Sequence, residues 1–147
     1  MNYYSLNPEV AGGLGSNTVM NRRTHPPAVR RLHYEFEGWL GDALLESFPC
    51  FIVTATLGTA IQRANFTGVA VDEVEISTSE TFNELQPQQR LPKFVWLQIT
   101  GKAGRDDFGL SDQHRLVVSG SALRVLQSFP LDHCDIDLWD SGPVSRQ

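Results

Sequence analysis

Residues 32–37 alternate between apolar and polar side chains, which predicts a β-strand with one buried face. The positions expected to face inward are Leu32, Tyr34 and Phe36. The positions expected to face outward are His33, Glu35 and Glu37. This two-residue period is typical of a strand that packs on a core with one side only.

Two further stretches also indicate strands. Residues 94–99 are almost continuously apolar, which predicts a central strand covered on both faces. Residues 1–8 contain Tyr3 and Tyr4 and end at Pro8, so we expect a short edge strand there.

A strand, a hydroxyl residue and a helical pattern follow one another from residue 51. Residues 51–53 are apolar, and Thr54 stands where a helix N-cap is expected. One face of the predicted helix carries Leu57, Ala60, Ile61 and Ala64. Asn65 is expected to end the helix and Gly68 to turn the chain, and residues 69–76 supply the next strand.

The same order returns 65 residues later. Residues 116–118 are apolar, Ser119 is the expected cap, and Pro130 lies where the second helix must have ended. Its apolar face carries Ala122, Val125, Leu126 and Phe129, and a strand is predicted over residues 134–139. The pattern therefore predicts a single α+β domain over residues 1–147, with a mixed or antiparallel sheet and two similar strand-cap-helix-strand units.

Three polar or glycine-rich stretches are expected to be loops. Residues 8–15 are glycine-rich but lack the spacing of a phosphate-binding loop. Residues 16–31 are basic and contain two prolines, which favours an extended surface segment. Residues 77–92 form the third loop, and we expect Phe82 and Leu85 to hold it against the core.

Composition narrows the functional classes. The chain has 147 residues, of which 41% are hydrophobic, and a net charge of −5. Nucleic-acid-binding proteins usually present basic surfaces, so the acidic balance argues against that class. The sequence has no apolar run long enough for a membrane span and no export signal. Together with two cysteines, Cys50 and Cys134, this predicts a cytoplasmic protein with free thiols. A disulfide between the two is the less favoured alternative, because the sequence shows no export signal.

Motifs for catalysis or metal binding are weak. His133 and Cys134 are adjacent, and in an extended segment their side chains would point to opposite faces, so we expect no metal site there. Cys50 lies between a proline and a phenylalanine, which indicates a buried thiol rather than a nucleophile. Asp106 and Asp107 are neighbours that seldom converge on one reacting atom. The sequence therefore predicts no enzyme, no cofactor and no metal.

Recognition of a partner is the remaining interpretation for the acidic and aromatic residues. Asp106, Asp107 and Phe108 combine carboxylates with a large aromatic ring, a combination that suits an interface with a basic protein. A structural role is the alternative, with Phe108 in the core and the aspartates capping a turn. Trp39, which follows Glu35 and Glu37, allows the same two interpretations.

Several stretches resemble bacterial immunity proteins, the antitoxins encoded beside polymorphic toxins and type VI secretion effectors. These stretches are residues 8–15, 32–36 with 38–42, 104–108 with 116–119, and 133–136. The likeness runs over most of the chain and is strongest to immunity proteins whose toxins are similar to DNases. It implies a cytoplasmic, non-enzymatic protein that forms a one-to-one complex with a cognate toxin. The partner-binding residues would then be Glu35, Glu37, Trp39, Asp42, Asp106, Asp107 and Phe108.

Two alternatives stay open at this stage. The first is a homo-oligomeric interaction module. The second is a small enzyme with an unrecognised site around Asp106, Asp107 and His114.

Overall fold

The computed structural model describes residues 2–139 and has an α+β architecture. Its strands are β1 (Tyr3–Asn7), β2 (Gly12–Leu14), β3 (Val19–Asn21), β4 (Ala28–Arg31), β5 (His33–Phe36), β6 (Leu44–Ser47), β7 (Cys50–Thr54), β8 (Val69–Asp72), β9 (Glu75–Thr78), β10 (Phe94–Ile99), β11 (Phe108–Leu110), β12 (Leu116–Ser119) and β13 (Asp135–Trp139). Its helices are α1 (Ala55–Arg63), α2 (Glu80–Leu85) and α3 (Gly120–Gln127). None of these helices combines the length and apolar character needed to cross a membrane.

The described strands form four sheets. Two are four-stranded and antiparallel, with the orders β11-β12-β1-β13 and β6-β7-β10-β8. A third sheet, β2-β5-β9, contains the parallel pair β5 and β9, and β3 pairs with β4 in a separate ribbon. The predicted α+β class, with mixed or antiparallel strand pairing, is therefore confirmed.

The two predicted strand-cap-helix-strand units are also confirmed, and each belongs to its own four-stranded sheet. In the first unit β6 and β7 form a hairpin, α1 follows, and β8 returns on the far side of β10. In the second unit β11 and β12 form a hairpin, α3 follows, and β13 returns on the far side of β1. The two sheets thus share one strand order, although the inserted strand β10 follows its unit along the chain, whereas the inserted strand β1 precedes its unit.

Hydroxyl caps start both helices of these units as predicted. Thr54 Oγ1 accepts a hydrogen bond from the N–H of Leu57 at 3.4 Å, and Ser119 Oγ accepts one from the N–H of Ala122 at 3.1 Å. Asn65 follows the end of α1 in a left-handed conformation, with φ of 56°, as the sequence indicates for a helix terminator.

Two hydrophobic cores lie on opposite sides of the β6-β7-β10-β8 sheet. The first joins both four-stranded sheets with α1 and α3, and its buried members include Leu6, Leu44, Val53, Leu57, Leu97, Phe108, Val118 and Leu126. The second packs the other face against β5 and α2, and its members include Tyr34, Phe36, Ile52, Phe82, Phe94 and Trp96. Because β10 contributes to both cores, the prediction of a strand covered on both faces is confirmed.

The N-terminal strand is central, so the prediction of an edge strand was wrong. β1 pairs with β12 on one side and with β13 on the other. Pro8 had suggested an edge because proline cannot donate to a neighbouring strand. However, β1 ends at Asn7, so every residue of the strand keeps its N–H.

The stretches expected to be loops contain regular structure. β2 lies in the glycine-rich stretch of residues 8–15, and β3 and β4 lie in the basic stretch of residues 16–31. The end of β9 and the whole of α2 lie in residues 77–92. β2 approaches β5 so closely that a Cβ at Gly12 would overlap the carbonyl oxygen of Glu35, and the pairing therefore requires glycine. The strand predicted over residues 69–76 is in fact two strands, β8 and β9, which belong to different sheets.

The burial of two side chains, one polar and one apolar, differs from the prediction. His33 was expected to face outward but is buried. The fold can bury this polar ring because both of its nitrogens have partners. Its Nδ1 accepts a hydrogen bond from the N–H of Asn17, and its Nε2 lies 2.7 Å from Ser77 Oγ. Phe82 is buried as expected, whereas Leu85 is exposed and does not hold its segment to the core.

Candidate partner-binding surface

The loop between β5 and β6 has a backbone that is fixed by the chain before β2. The N–H groups of Glu37 and Gly38 both donate to the carbonyl oxygen of Ala11, at 2.8 and 3.2 Å. The N–H of Leu40 donates to Glu9 Oε2 at 2.7 Å. Residues 37–40 are therefore tied to residues 9–11 along most of their length.

The side chain of Gln86, just after α2, holds the same loop from another direction. Its Oε1 accepts a hydrogen bond from the N–H of Trp39 at 2.7 Å, and its Nε2 donates to the Trp39 carbonyl oxygen at 3.1 Å. The Trp39 indole N–H donates to the carbonyl oxygen of Asp42 at 3.0 Å, and the ring packs edge-on against Phe94. Trp39 is thus half-buried and anchored on both its backbone and its ring.

Three ionisable side chains meet beneath this loop. Glu9 and Asp42 are buried, and Glu9 Oε1 accepts from the N–H of Asp42 at 3.3 Å. Asp42 Oδ2 accepts from the N–H of His133 at 2.8 Å, and its Oδ1 lies 3.1 Å from His133 Nδ1. The hydrogen bond with Asp42 raises the pKa of His133 above its ordinary value, since it favours the charged imidazole.

These three residues have the donor atoms of a divalent metal site, and the atoms lie within 4.8 Å of one another. In this structure, however, the carboxylate oxygens accept hydrogen bonds from backbone N–H groups. Among residues 2–139, no buried side-chain nitrogen or oxygen atom lacks a hydrogen-bond partner. The geometry therefore supports a structural connection between residues 9, 42 and 133.

Exposed apolar side chains lie on top of this fixed framework. Val10 is 65% exposed and Leu40 is 67% exposed. They flank a groove of about 450 Å³ lined by Glu9, Val10, Ala11, Gly12, Glu37, Gly38, Trp39, Leu40 and Gln86. Two of these lining residues are acidic and none is basic. We call Val10, Glu37, Trp39 and Leu40, together with the groove between them, the loop surface.

The residues 106–108 have internal structural contacts. Asp107 Oδ2 accepts from the N–H of Thr67 at 3.0 Å, and its Oδ1 accepts from Ser119 Oγ at 2.8 Å. Asp107 therefore joins the turn between α1 and β8 of the first unit to the cap of α3. Phe108 is 0% exposed and lies in the first core.

Asp106 fixes the turn before β11. Its Oδ2 accepts a hydrogen bond from the N–H of Lys102 at 2.8 Å. The same oxygen forms an ion pair with Arg105 Nη2 at 3.1 Å. The backbone hydrogen bond from Lys102, followed by the Arg105 side chain, lowers the pKa of Asp106. These contacts match the structural alternative considered for this segment.

The seven residues predicted to bind a partner thus fall into three groups. Glu37 and Trp39 belong to the loop surface, and Glu35 is a half-buried residue of β5 shortly before them. Asp42 is 1% exposed and Phe108 is fully buried, so neither offers a partner any surface, and we remove both from the proposed interface. Asp106 and Asp107 are engaged by Lys102, Thr67 and Ser119 instead.

Sequence reasoning missed Val10, Leu40 and Gln86 as members of the site. Val10 and Leu40 lie in loops, where no periodic pattern shows which side chains are exposed. Gln86 is one of several glutamines in a polar stretch, and only the fold brings it to Trp39.

Both cysteines are free thiols, as predicted. Burial raises the pKa of the Cys50 thiol to about 12. Burial is also the largest cause that raises the pKa of the Cys134 thiol to about 12. Neither thiol has the lowered pKa of an activated nucleophile.

Comparisons with protein-family models, curated proteins and solved structures found no match to this chain.

Proposed function

We propose that this chain is an immunity protein that binds and neutralises a cognate secreted antibacterial toxin in the cytoplasm, with the toxin being a nuclease effector of a type VI secretion system. The observation that carries the binding role is the loop surface. It presents the exposed side chains of Val10 and Leu40 on a backbone held by Ala11, Glu9 and Gln86.

A fixed backbone supports tight binding because little conformational entropy is lost when the partner docks. Each residue from Glu37 to Leu40 donates its N–H to a partner outside the loop. Leu40 would then insert into a partner as a preorganised apolar side chain, surrounded by polar rim residues.

The acidic lining of the groove supports a basic partner. Glu37 is exposed at the rim, Glu9 lies beneath it, and the chain carries a net charge of −5. Nucleases bind DNA through basic surfaces, and an acidic inhibitor is attracted to the same surface. The toxin class itself comes from the resemblance to immunity proteins, and the charge is compatible with it.

Co-expression with the product of the adjacent gene tests the proposal. We expect the two proteins to co-purify at a one-to-one ratio and the toxin's nuclease activity to be lost in the complex. Failure to co-purify, or full nuclease activity in a purified complex, would reject the immunity role.

The role of the acidic rim can be tested separately through the association rate. Glu37→Lys should slow association with the toxin and weaken its dependence on salt, because a rim charge acts mainly on the encounter step. Glu37→Gln is the matched control, with a smaller effect in the same direction. An association rate that neither variant changes would contradict a role for the acidic rim.

A further inference from the structure

β8 ends the β6-β7-β10-β8 sheet, and no described strand pairs with its outer edge. The N–H of Thr100 donates to the carbonyl oxygen of Gly68 at 2.8 Å, which marks Gly68 and Thr100 as a hydrogen-bonded pair. Such pairs alternate along an antiparallel ladder. Val69 and Val71 therefore direct their N–H and C=O groups toward the open edge.

The side chains of β8 are arranged for pairing with an identical strand. We propose that two copies of this chain associate through β8, in antiparallel register about Ala70, to form one continuous eight-stranded sheet. Val69 of each copy then pairs with Val71 of the other, and the two residues exchange both backbone hydrogen bonds. The operation is a two-fold axis, so the contact closes and needs no second surface.

Each cross-strand position in this register is compatible with its neighbour. Val71 faces α1, since a Cβ at Gly58 would lie 3.9 Å from Val71 Cγ1. Valine pairs on that face are favourable because β-branched side chains pack well across strands. On the other face Ala70 meets Ala70, and Asp72 lies opposite Gly68, so no like charges face each other.

A groove with a mixed apolar and polar lining runs beside the same edge. It has a volume of about 340 Å³. Its apolar lining comes from Ile61 of α1, from Phe66 after the end of that helix and from β8, and its polar lining comes from Gln62 and Asn65. Pairing of two β8 strands places the two α1 helices on the same face of the joined sheet. The partner's strand and helix would cover part of this apolar lining.

The corresponding strand of the second unit shows the contrast. β13 is the outer strand of its sheet and carries Asp135 and Asp137, both exposed. Self-pairing centred on Ile136 or Asp137 would place aspartates directly opposite one another, which is destabilising. Charged residues of this kind are a common protection of sheet edges, and the pairing part of β8, residues 69–71, has none.

This inference is independent of the proposed function because β8 shares no residue with the loop surface. A toxin complex of the dimer would have two copies of each protein, which keeps the one-to-one ratio.

Light scattering coupled to size exclusion chromatography tests the dimer with the 147-residue chain. We expect a mass of twice 16.4 kDa that falls to 16.4 kDa on dilution. Ala70→Lys should give the monomer mass at all loading concentrations, because two lysines would face each other at the centre of the interface. Ala28→Lys, at an exposed alanine of β4, is the matched control and should keep the dimer.

Charge reversal supplies a rescue. Ala70→Glu alone should also be monomeric, and an equimolar mixture of Ala70→Lys and Ala70→Glu should recover the dimer mass. A wild-type protein that is monomeric at every concentration would overturn the proposal. A dimer that persists in Ala70→Lys would overturn it as well, because the contact would then lie elsewhere.

Discussion

Ser119 connects the cap of α3 to the first unit, so its removal should cost more than removal of the equivalent cap of α1. The Ser119 hydroxyl accepts from the N–H of Ala122 at 3.1 Å and donates to Asp107 Oδ1 at 2.8 Å. The residue is only 3% exposed, so water cannot readily replace either bond in a Ser119→Ala variant. Thr54 is half-buried, and its cap bond is longer, at 3.4 Å.

The difference can be estimated from these contacts. Loss of an N-cap costs about 1 kcal/mol, and loss of the hydrogen bond to a partly buried carboxylate adds on the order of 1 kcal/mol. We therefore expect Ser119→Ala to lower the free energy of unfolding by about 2 kcal/mol. Thr54→Ala should lower it by only about 0.5 kcal/mol, at the small end of the range for caps.

Urea denaturation of the two variants and the wild type measures this difference, provided that the dependence of the free energy on urea is the same for all. Ser121→Ala, at an exposed position of α3, is the matched control and should change stability little. A double-mutant cycle with Asp107→Ala should give a coupling energy of at least ~0.5 kcal/mol with Ser119→Ala. Equal costs for the two cap variants, or additive effects in the cycle, would refute the reasoning.

Burial and charge also determine the effect of changes at Phe108, at His133 and at the two cysteines. Phe108→Ala should lower the free energy of unfolding by about 3 to 5 kcal/mol because it leaves a cavity in the first core. A melting temperature equal to that of the wild type would contradict this. The hydrogen bond with Asp42 raises the pKa of His133 above 6.5 in the folded protein. The contribution of the His133–Asp42 pair to stability is therefore fully present below pH 6.5 and is lost as the pH rises through the raised pKa of His133. The stability difference between wild type and His133→Gln should therefore shrink at high pH, and a difference independent of pH would reject the pairing. Burial raises the pKa of both thiols to about 12, so a thiol reagent at neutral pH should modify Cys50 and Cys134 only slowly in the native protein, and rapid labelling of Cys50 would contradict its burial.

Local signals in the sequence were sufficient for the two helical units. Thr54 and Ser119 each stand between a buried strand and an amphipathic helix, and the cap geometry depends only on residues within one turn. The apolar run of β10 likewise predicted its central position, because both faces of the strand must be covered.

Short strands formed by polar or glycine-rich residues could not be predicted in this way. β2 has no apolar alternation and exists because Gly12 allows the backbone to approach Glu35. β1 is central because β12 and β13, more than 100 residues later, pair with both its edges. Such pairing is a property of the assembled fold rather than of any local window.

The candidate site divides in the same manner. Composition and charge indicated an acidic, aromatic binding region, and Glu37 and Trp39 do lie on the loop surface. The sequence does not distinguish Asp42 and Phe108 from exposed interface residues. Only the contact of Asp42 with His133 and the packing of Phe108 in the first core show that both side chains are internal. Leu40 was missed because exposure of a loop residue depends on the direction that Glu9 and Gln86 impose on the backbone.

The affinity of the Leu40→Arg variant for the proposed toxin partner tests the central claim most directly. Leu138→Arg is the matched control, because Leu40 and Leu138 are both 67% exposed and the same change is made outside the loop surface. Titration calorimetry should show that Leu40→Arg weakens binding at least ~10-fold, equivalent to about 1.4 kcal/mol, while Leu138→Arg binds like the wild type. Wild-type affinity in the Leu40→Arg variant, with its stability unchanged, would contradict the loop surface as the partner-binding site.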